Sequence, residues 1–383
     1  MNRPRKRVIV LGAAGRVGSQ ICAELLRADV DVVLVDVLPR TQLEQRAGRL
    51  LNDALLASDR STASAAVCGD FDATDRDALV TLFAGERPDL VINYAIPITW
   101  DATKRLPNYA RISAAGLGAF TPIQVLVPLL VGRALAESGV RCNYMVGNLP
   151  DITGPVITAI AGAGGVTPPL CGAGNVGLNQ VALRRQVAED RGVTIDGVDV
   201  ALVSHHVHWV APREPGYSNE APFLAKVAVS GTDITAEFSK LRDVMNRAVQ
   251  AFYEPDAGFS STTGILASRV ALALLDDSGA KHRMHVPAPN GLPGGYPVAI
   301  SGGEVSVDLP QEWKLEDAVQ AMEVCHTLDG VEAIETDGSV RFTDAARDIL
   351  RDEVGFELPA CMAPGDIGQV AAAQIATLKA RFP

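Results

Sequence analysis

The sequence predicts an α/β protein whose first half is a doubly wound parallel sheet and whose second half is an α+β unit. Three observations predict it. Short, continuously apolar runs alternate with amphipathic stretches from Val8 to Val146. Glycines at three-residue spacing stand where the first apolar run gives way to the first helix. Beyond Pro150 the regular alternation ends, and Gly/Pro-rich loops and alternating strands take over.

Val8–Leu11 has the β-branched character and length of a buried parallel strand. Gly12, Gly15 and Gly18 follow, and then Val17, Ile21 and Leu25 recur at helical spacing. This strand, turn and helix form a Rossmann-type fingerprint: Gly12 for the tight turn, Gly15 for close approach of a pyrophosphate, Gly18 for helix-on-strand packing. Backbone N–H groups of Ala14, Arg16 and Val17 at the helix start would face phosphates. The second run, Val30–Val35, ends in Asp36, whose carboxylate suits a ribose diol and repels a 2′-phosphate. NAD is therefore expected over NADP, although Arg40 could offset that repulsion.

Thr41–Leu56 reads as a helix, Ala65–Cys68 as a third strand, Asp75–Phe83 as a helix and Leu90–Tyr94 as a fourth strand entering Ala95. Arg111–Ser138 is helical in its later part, and Arg141–Val146 is the fifth strand, ending at Gly147-Asn148. Crevices at the carboxyl ends of such strands hold cofactors, which places Ala95 and Asn148 beside a nicotinamide. In the second half Leu178–Glu189 reads as a helix, Val198–Val210 as a strand carrying His205, His206 and His208, and Thr232–Phe252 and Gly264–Asp276 as helices. Strands are expected in Val298–Leu309 and helices at the C-terminus. The division is a nucleotide-binding domain over 1–150 and a catalytic domain over 151–383.

At 48% hydrophobic and 21% charged residues the chain is globular. A net charge of −11 argues against nucleic acid as a partner. The six cysteines form no CxxC pair, so neither a disulfide framework nor a zinc ribbon is expected. The basic start has no separate apolar segment, and no apolar run approaches the ~20 residues of a membrane span. A cytoplasmic protein without membrane contact is expected.

Four segments resemble the lactate/malate dehydrogenase superfamily, which includes the NAD- and metal-dependent family 4 glycosidases. They are GAAGRVG with Asp36, VINYAIP, GNLPDIT, and the stretch from Gly177 to Pro212, GLNQVALRRQVAEDRGVTIDGVDVALVSHHVHWVAP. The resemblance implies a Rossmann domain followed by an α+β catalytic domain, NAD, a homo-oligomer, His206 as acid/base and Asn148 as the active-site asparagine. It also exposes departures. Asn179 stands where the dehydrogenases carry the histidine's aspartate partner, and Ala182 where they carry the arginine that grips a 2-keto acid. Ile98 replaces a second arginine, with Lys104 and Arg105 nearby. Without that fork lactate and malate are poor substrates. The glycosidase branch binds a divalent ion, manganese, through a cysteine and a histidine. Cys171 and His206, the latter followed by Trp209, stand at corresponding places, and Tyr217 is a candidate base.

From the residues themselves, a histidine is the natural base for alcohol oxidation, and alternation on a strand would turn His206 away from His205 and His208. One cysteine and one histidine are an incomplete ligand set, and Cys22 and Cys142 read as core. Ser260-Ser261-Thr262-Thr263 is either a substrate-facing hydroxyl cluster or an N-cap. Asp151 reads as a helix N-terminal carboxylate, with orientation of His206 as its alternative. No tyrosine has a lysine four residues later, which argues against a short-chain dehydrogenase site. The function expected is an NAD-dependent oxidoreductase interconverting a secondary alcohol and a ketone on a polar small molecule. The alternatives are a manganese-dependent, glycosidase-like enzyme acting by redox-elimination on a sugar-like substrate, and a noncatalytic NAD-binding protein.

Overall fold

The structure, a computed structural model, describes residues 5–58, 62–212, 214, 220–238, 241–251 and 260–381. Strand β1 (Arg7–Leu11) lies at the centre of a six-stranded sheet, with Val8–Leu11 wholly buried because both faces are covered. Beside it run β2 (Asp31–Val35), β3 (Ala65–Cys68), β4 (Leu90–Asn93), β5 (Asn143–Val146) and β6 (Cys171–Gly172). The order is β3-β2-β1-β4-β5-β6, and every pair is parallel. This is the doubly wound arrangement, with its switch point between β1 and β4.

The alternation of side chains along each strand fills the two faces with different partners. Val8, Val10, Val32, Leu34 and Ile92 pack with α1 (Arg16–Arg27) and α2 (Arg40–Ala57). Ile9, Leu11, Val33, Val35 and Val91 pack with α3 (Arg76–Glu86) and, beyond two short helices α4 (Trp100–Thr103) and α5 (Tyr109–Ile112), with α6 (Thr121–Ser138). A 3-10 turn, Leu117–Phe120, opens α6. Together they make a 22-residue helix long and apolar enough to cross a membrane by length and composition alone, where the sequence reading saw no such run. Most of it is buried inside the fold, as a core helix must be.

Helix α7 (Pro150–Ala161) follows β5, and α8 (Val176–Arg191) follows β6. The second half then forms three antiparallel sheets. The first holds β7 (Val198–Val203), β8 (Leu224–Val229) and β9 (Thr232–Asp233), with the short helix α9 (His206–Val210) between β7 and β8. Helices α10 (Leu241–Ala251) and α11 (Ser260–Leu275) lead to β10 (His282–Pro287), β11 (Gly295–Ser301) and β12 (Glu304–Val307). Helix α12 (Leu315–Leu328) precedes a C-terminal unit of β13 (Val331–Ile334), β14 (Val340–Phe342), α13 (Asp344–Ile349), β15 (Cys361–Met362) and α14 (Ile367–Lys379). Val331, Phe342, Ile367 and Leu378 of that unit share a core with Phe120, Ile123, Ile152 and Val156.

Two expectations fail here. Thr232–Phe252 is not one helix: Ser230 and Gly231, both at positive φ, make a two-residue hairpin turn, so Thr232 pairs with Val229. Nor does the strand from Val198 run to Val210. It ends at Val203, Ser204 bridges to Gly295, and the His205 ring caps the new helix by accepting the Val207 N–H at 3.3 Å. His208 Nδ1 accepts the His205 N–H at 3.0 Å in return. Alternation therefore does not separate the three histidines.

Candidate active site

A cleft of about 330 Å³ opens at the carboxyl ends of β1, β2 and β4, lined by Gly12, Ala14, Gly15, Asp36, Arg46 and Ala95 among others. Gly12 has φ +78°, and a Cβ there would stand 2.8 Å from the Ala95 nitrogen. A Cβ on Gly18 would collide with the Gly12 carbonyl, whereas one on Gly15 would touch only that carbonyl, at 3.2 Å, so its bareness serves the cleft rather than the packing. Asp36 Oδ2 accepts the Ala14 N–H at 2.8 Å and Oδ1 accepts the Leu38 N–H at 3.2 Å, fixing the carboxylate against the glycine turn. Arg40 points elsewhere, pairing with Glu44 at 2.9 Å. The cation of the cleft is Arg46, whose Nη1 donates to the Ala14 carbonyl at 2.6 Å. The sequence reading missed it, and only its place two turns into α2 signalled it.

Arg16 and Val17 begin α1 but do not line the cleft. Asn148 is pinned beneath it: Nδ2 donates to the Ala95 carbonyl at 3.0 Å and Oδ1 accepts from Asn93 Nδ2 at 2.7 Å.

A second, buried cluster is built on Asp151, in the first turn of α7. The sequence reading favoured a plain helix-terminal carboxylate. It is at that terminus, yet Oδ2 accepts the His206 N–H at 2.9 Å, lies 2.6 Å from His206 Nδ1 and stands 3.2 Å from His205 Nε2. On its other side, His206 Nε2 lies 3.0 Å from Asp329 Oδ2, a buried ion-pair contact. His326, on α12, closes the cluster: Nε2 lies 2.8 Å from the Asp151 carbonyl, and its ring stands edge-on to His205 at 5.1 Å. Neither His326 nor Asp329 was singled out from the sequence.

The electrostatics divide these groups. Burial pushes His206 down, but Asp151 and Asp329 outweigh it and raise its pKa to about 10. Burial would raise Asp151, but His205 and His206 hold it below the usual carboxylate range. Burial dominates at His205 and His326, whose pKa values fall, and at His208, brought down to about 4. The cluster thus carries one imidazolium among neutral rings.

The remaining candidates fall outside this pair of sites. Asn179 is buried but reaches only Ser204 Oγ at 3.4 Å and the His205 carbonyl at 3.5 Å, not the His206 ring. Cys171 lies in β6 within the hydrophobic core, its thiol pushed up to about 12 by burial, and it is not part of the Asp151–His205–His206 group. Ala182 and Ile98 are buried, and Lys104 is held by Glu214 at 2.6 Å. Ser260 begins α11, with Thr263 Oγ1 buried and unpartnered. Tyr217 lies outside the described residues.

The NAD dependent epimerase/dehydratase family model matches residues 8–116. No match was found among curated protein sequences. Among solved structures, the chain is similar to lactate dehydrogenase from Cryptosporidium parvum in complex with lactic acid and nicotinamide adenine dinucleotide, at 17% identity and TM-score 0.56, over 86% of this chain and 98% of that one. Lactate dehydrogenase from Eimeria maxima with NADH and oxamate is similar at 17% identity and TM-score 0.55, over 86% and 96%. A further Cryptosporidium parvum lactate dehydrogenase structure matches at 16% identity and TM-score 0.56, over 86% and 99%. The fold is that of the lactate dehydrogenases.

Proposed function

We propose that this chain is an NAD-dependent oxidoreductase interconverting a secondary alcohol and a ketone on a polar small molecule other than lactate or malate. The observation that carries the reading is the 2.6 Å contact of Asp151 with His206 Nδ1, which orients the ring and turns Nε2, the atom proposed to move the proton, toward Asp329. The glycine cradle fits a dinucleotide: Gly15 is bare where a pyrophosphate would approach. Asp36 favours NAD over NADP, although Arg46 softens that preference. Residues 1–150 would hold the cofactor and residues 151–383 the substrate.

When bound, the nicotinamide supplies or takes up the hydride. The chain's own part is the proton. In reduction, His206 Nε2–H protonates the oxygen that develops negative charge, and Asp151 steadies the ring without itself being protonated. In oxidation the same atom takes the hydroxyl proton only after the imidazolium has given up its own, which a pKa of about 10 confines to the alkaline side. Asn148 holds the Ala95 loop that frames the cleft, and Asn179 supports the turn that presents His205. With Ala182 and Ile98 in the arginine positions, a keto acid lacks its fork.

A manganese-assisted reading rests on Asp151, His205 and His206, which bring one donor atom each within 4.8 Å of one another. These residues do not fit the ion. His205 Nδ1 accepts the Val207 N–H, so the neutral ring carries its proton on Nε2 and offers no lone pair there to an ion. Cys171 adds no thiolate. NADH titration followed by nicotinamide fluorescence tests the proposal: saturable enhancement is expected, and no binding overturns it. A protein that binds NADH but turns over no substrate would belong to the noncatalytic class.

A further inference from the structure

The carboxylate beside His206 sits in a seat that would suit a substrate. Asp329 Oδ1 accepts the Leu117 N–H at 2.9 Å, and Oδ2 accepts the Gly118 N–H at 2.8 Å. These are the first backbone N–H groups of the 22-residue helix Leu117–Ser138, whose amino end carries positive potential. The third wall is the imidazole: His206 Nε2, which is buried, lies 3.0 Å from the same Oδ2. The backbone is shaped for this occupant. A Cβ on Gly118 would stand 2.5 Å from the Asp329 carbonyl and 3.1 Å from Oδ2, and one on Gly116, at φ +80°, would collide with that carbonyl. Asp329 itself is fully buried.

Two backbone N–H groups and an imidazole converging on a carboxylate are the equipment for gripping an anion next to a proton donor. The chain fills that equipment with its own residue, in the turn between α12 and β13, and a carboxylate from outside would have to displace it. We infer that Asp329 is the specificity-determining residue of the site, an internal carboxylate that excludes carboxylate-bearing substrates and accepts those with a hydroxyl or ammonium group beside the reacting carbon. This rests on the oxidoreductase reading for the reaction itself, whereas the seat consists only of groups in the chain.

The test is chemical rescue of Asp329→Ala. The variant should have a lowered Tm that formate, acetate and oxamate each raise saturably, while formamide does not, and the same anions should leave the wild-type Tm unmoved. Anions that shift both proteins equally, or a folded variant that none of them shifts, overturn the inference. A variant that is insoluble when expressed can be refolded with and without formate, where recovery only with formate supports the seat. Oxamate titration of the wild type, with and without NADH, gives a reading independent of any variant. Binding as tight as that of a lactate dehydrogenase control overturns the inference, and binding at least tenfold weaker agrees with it. Because NADH binding is measured separately, its failure would sink the oxidoreductase reading and leave the seat to be judged on the anion data.

Discussion

Asp151→Asn removes one negative charge from the centre of the buried cluster while keeping its shape. In the folded chain His206 binds its proton with a pKa of about 10, against an ordinary 6.5. A difference of about 3.5, at about 1.4 kcal/mol per pH unit, is on the order of 5 kcal/mol of preferential proton binding by the folded state. Asp151 is the first of the contributions that raise it, and its share is on the order of 2–3 kcal/mol. Because the folded value lies above the unfolded one, this stabilisation is fully present below about pH 6.5 and drains away as the pH rises toward about 10. Seen from the carboxylate, whose folded pKa is depressed, the same interaction is present above the ordinary carboxylate value and is lost as the pH falls through the acid range. Urea unfolding of wild type and variant at pH 6, 8 and 10 should show the variant less stable by about 2–3 kcal/mol at pH 6, with the gap closing toward pH 10. A gap that stays constant across that range, or one below about 0.5 kcal/mol at pH 6, refutes the imidazolium assignment.

Other outcomes test the cofactor site and the metal question. Gly15→Val places a branched side chain at the mouth of the cleft, its Cβ 3.2 Å from the Gly12 carbonyl, and should weaken NADH binding at least tenfold in a fluorescence titration; unaltered affinity would remove the cleft from cofactor binding. Asp36→Ala frees the Ala14 and Leu38 N–H groups and removes the charge that opposes a 2′-phosphate, so the ratio of NADPH to NADH dissociation constants should narrow severalfold. An unchanged ratio would take Asp36 out of the ribose site. Chelator-treated protein should show no tight manganese binding by calorimetry, with or without NAD, and Cys171→Ala should behave as the wild type. Tight binding lost in that variant would restore the metal-assisted reading.

Much of the fold was legible because its signals are local. Val8–Leu11 and Val32–Val35 are apolar on both faces, as strands of a parallel sheet covered by helices are. The glycine spacing likewise reports one turn and its packing. The second half misled where a local pattern was overridden by a distant partner. Val198–Val210 carries no glycine or proline to end the strand, yet Ser204 is captured by Gly295 and the chain turns into α9. The active-site cluster was half legible. His206 stood out among clustered histidines, but its partners do not lie where the dehydrogenase pattern puts them. Asn179 occupies the aspartate position and reaches Ser204 Oγ and the His205 backbone but not the His206 ring, while Asp151 arrives from 55 residues earlier in the chain. Asp329 is set by a contact spanning 211 residues, through the Gly118 N–H. Neither an ordinary DG turn nor a single histidine on an amphipathic helix announces such a partner.

The most direct measurement is transfer of deuterium from NADH carrying the label at nicotinamide C4, in each stereochemical position, to a panel of polar ketones bearing hydroxyl or amino groups, read by mass spectrometry with His206→Gln in parallel. The account predicts label on the carbinol carbon with at least one member of the panel, and a loss of about 10²–10⁴-fold in the variant with NADH binding unchanged. Transfer that proceeds equally well in His206→Gln, or a wild type that binds NADH and labels no ketone, would contradict it.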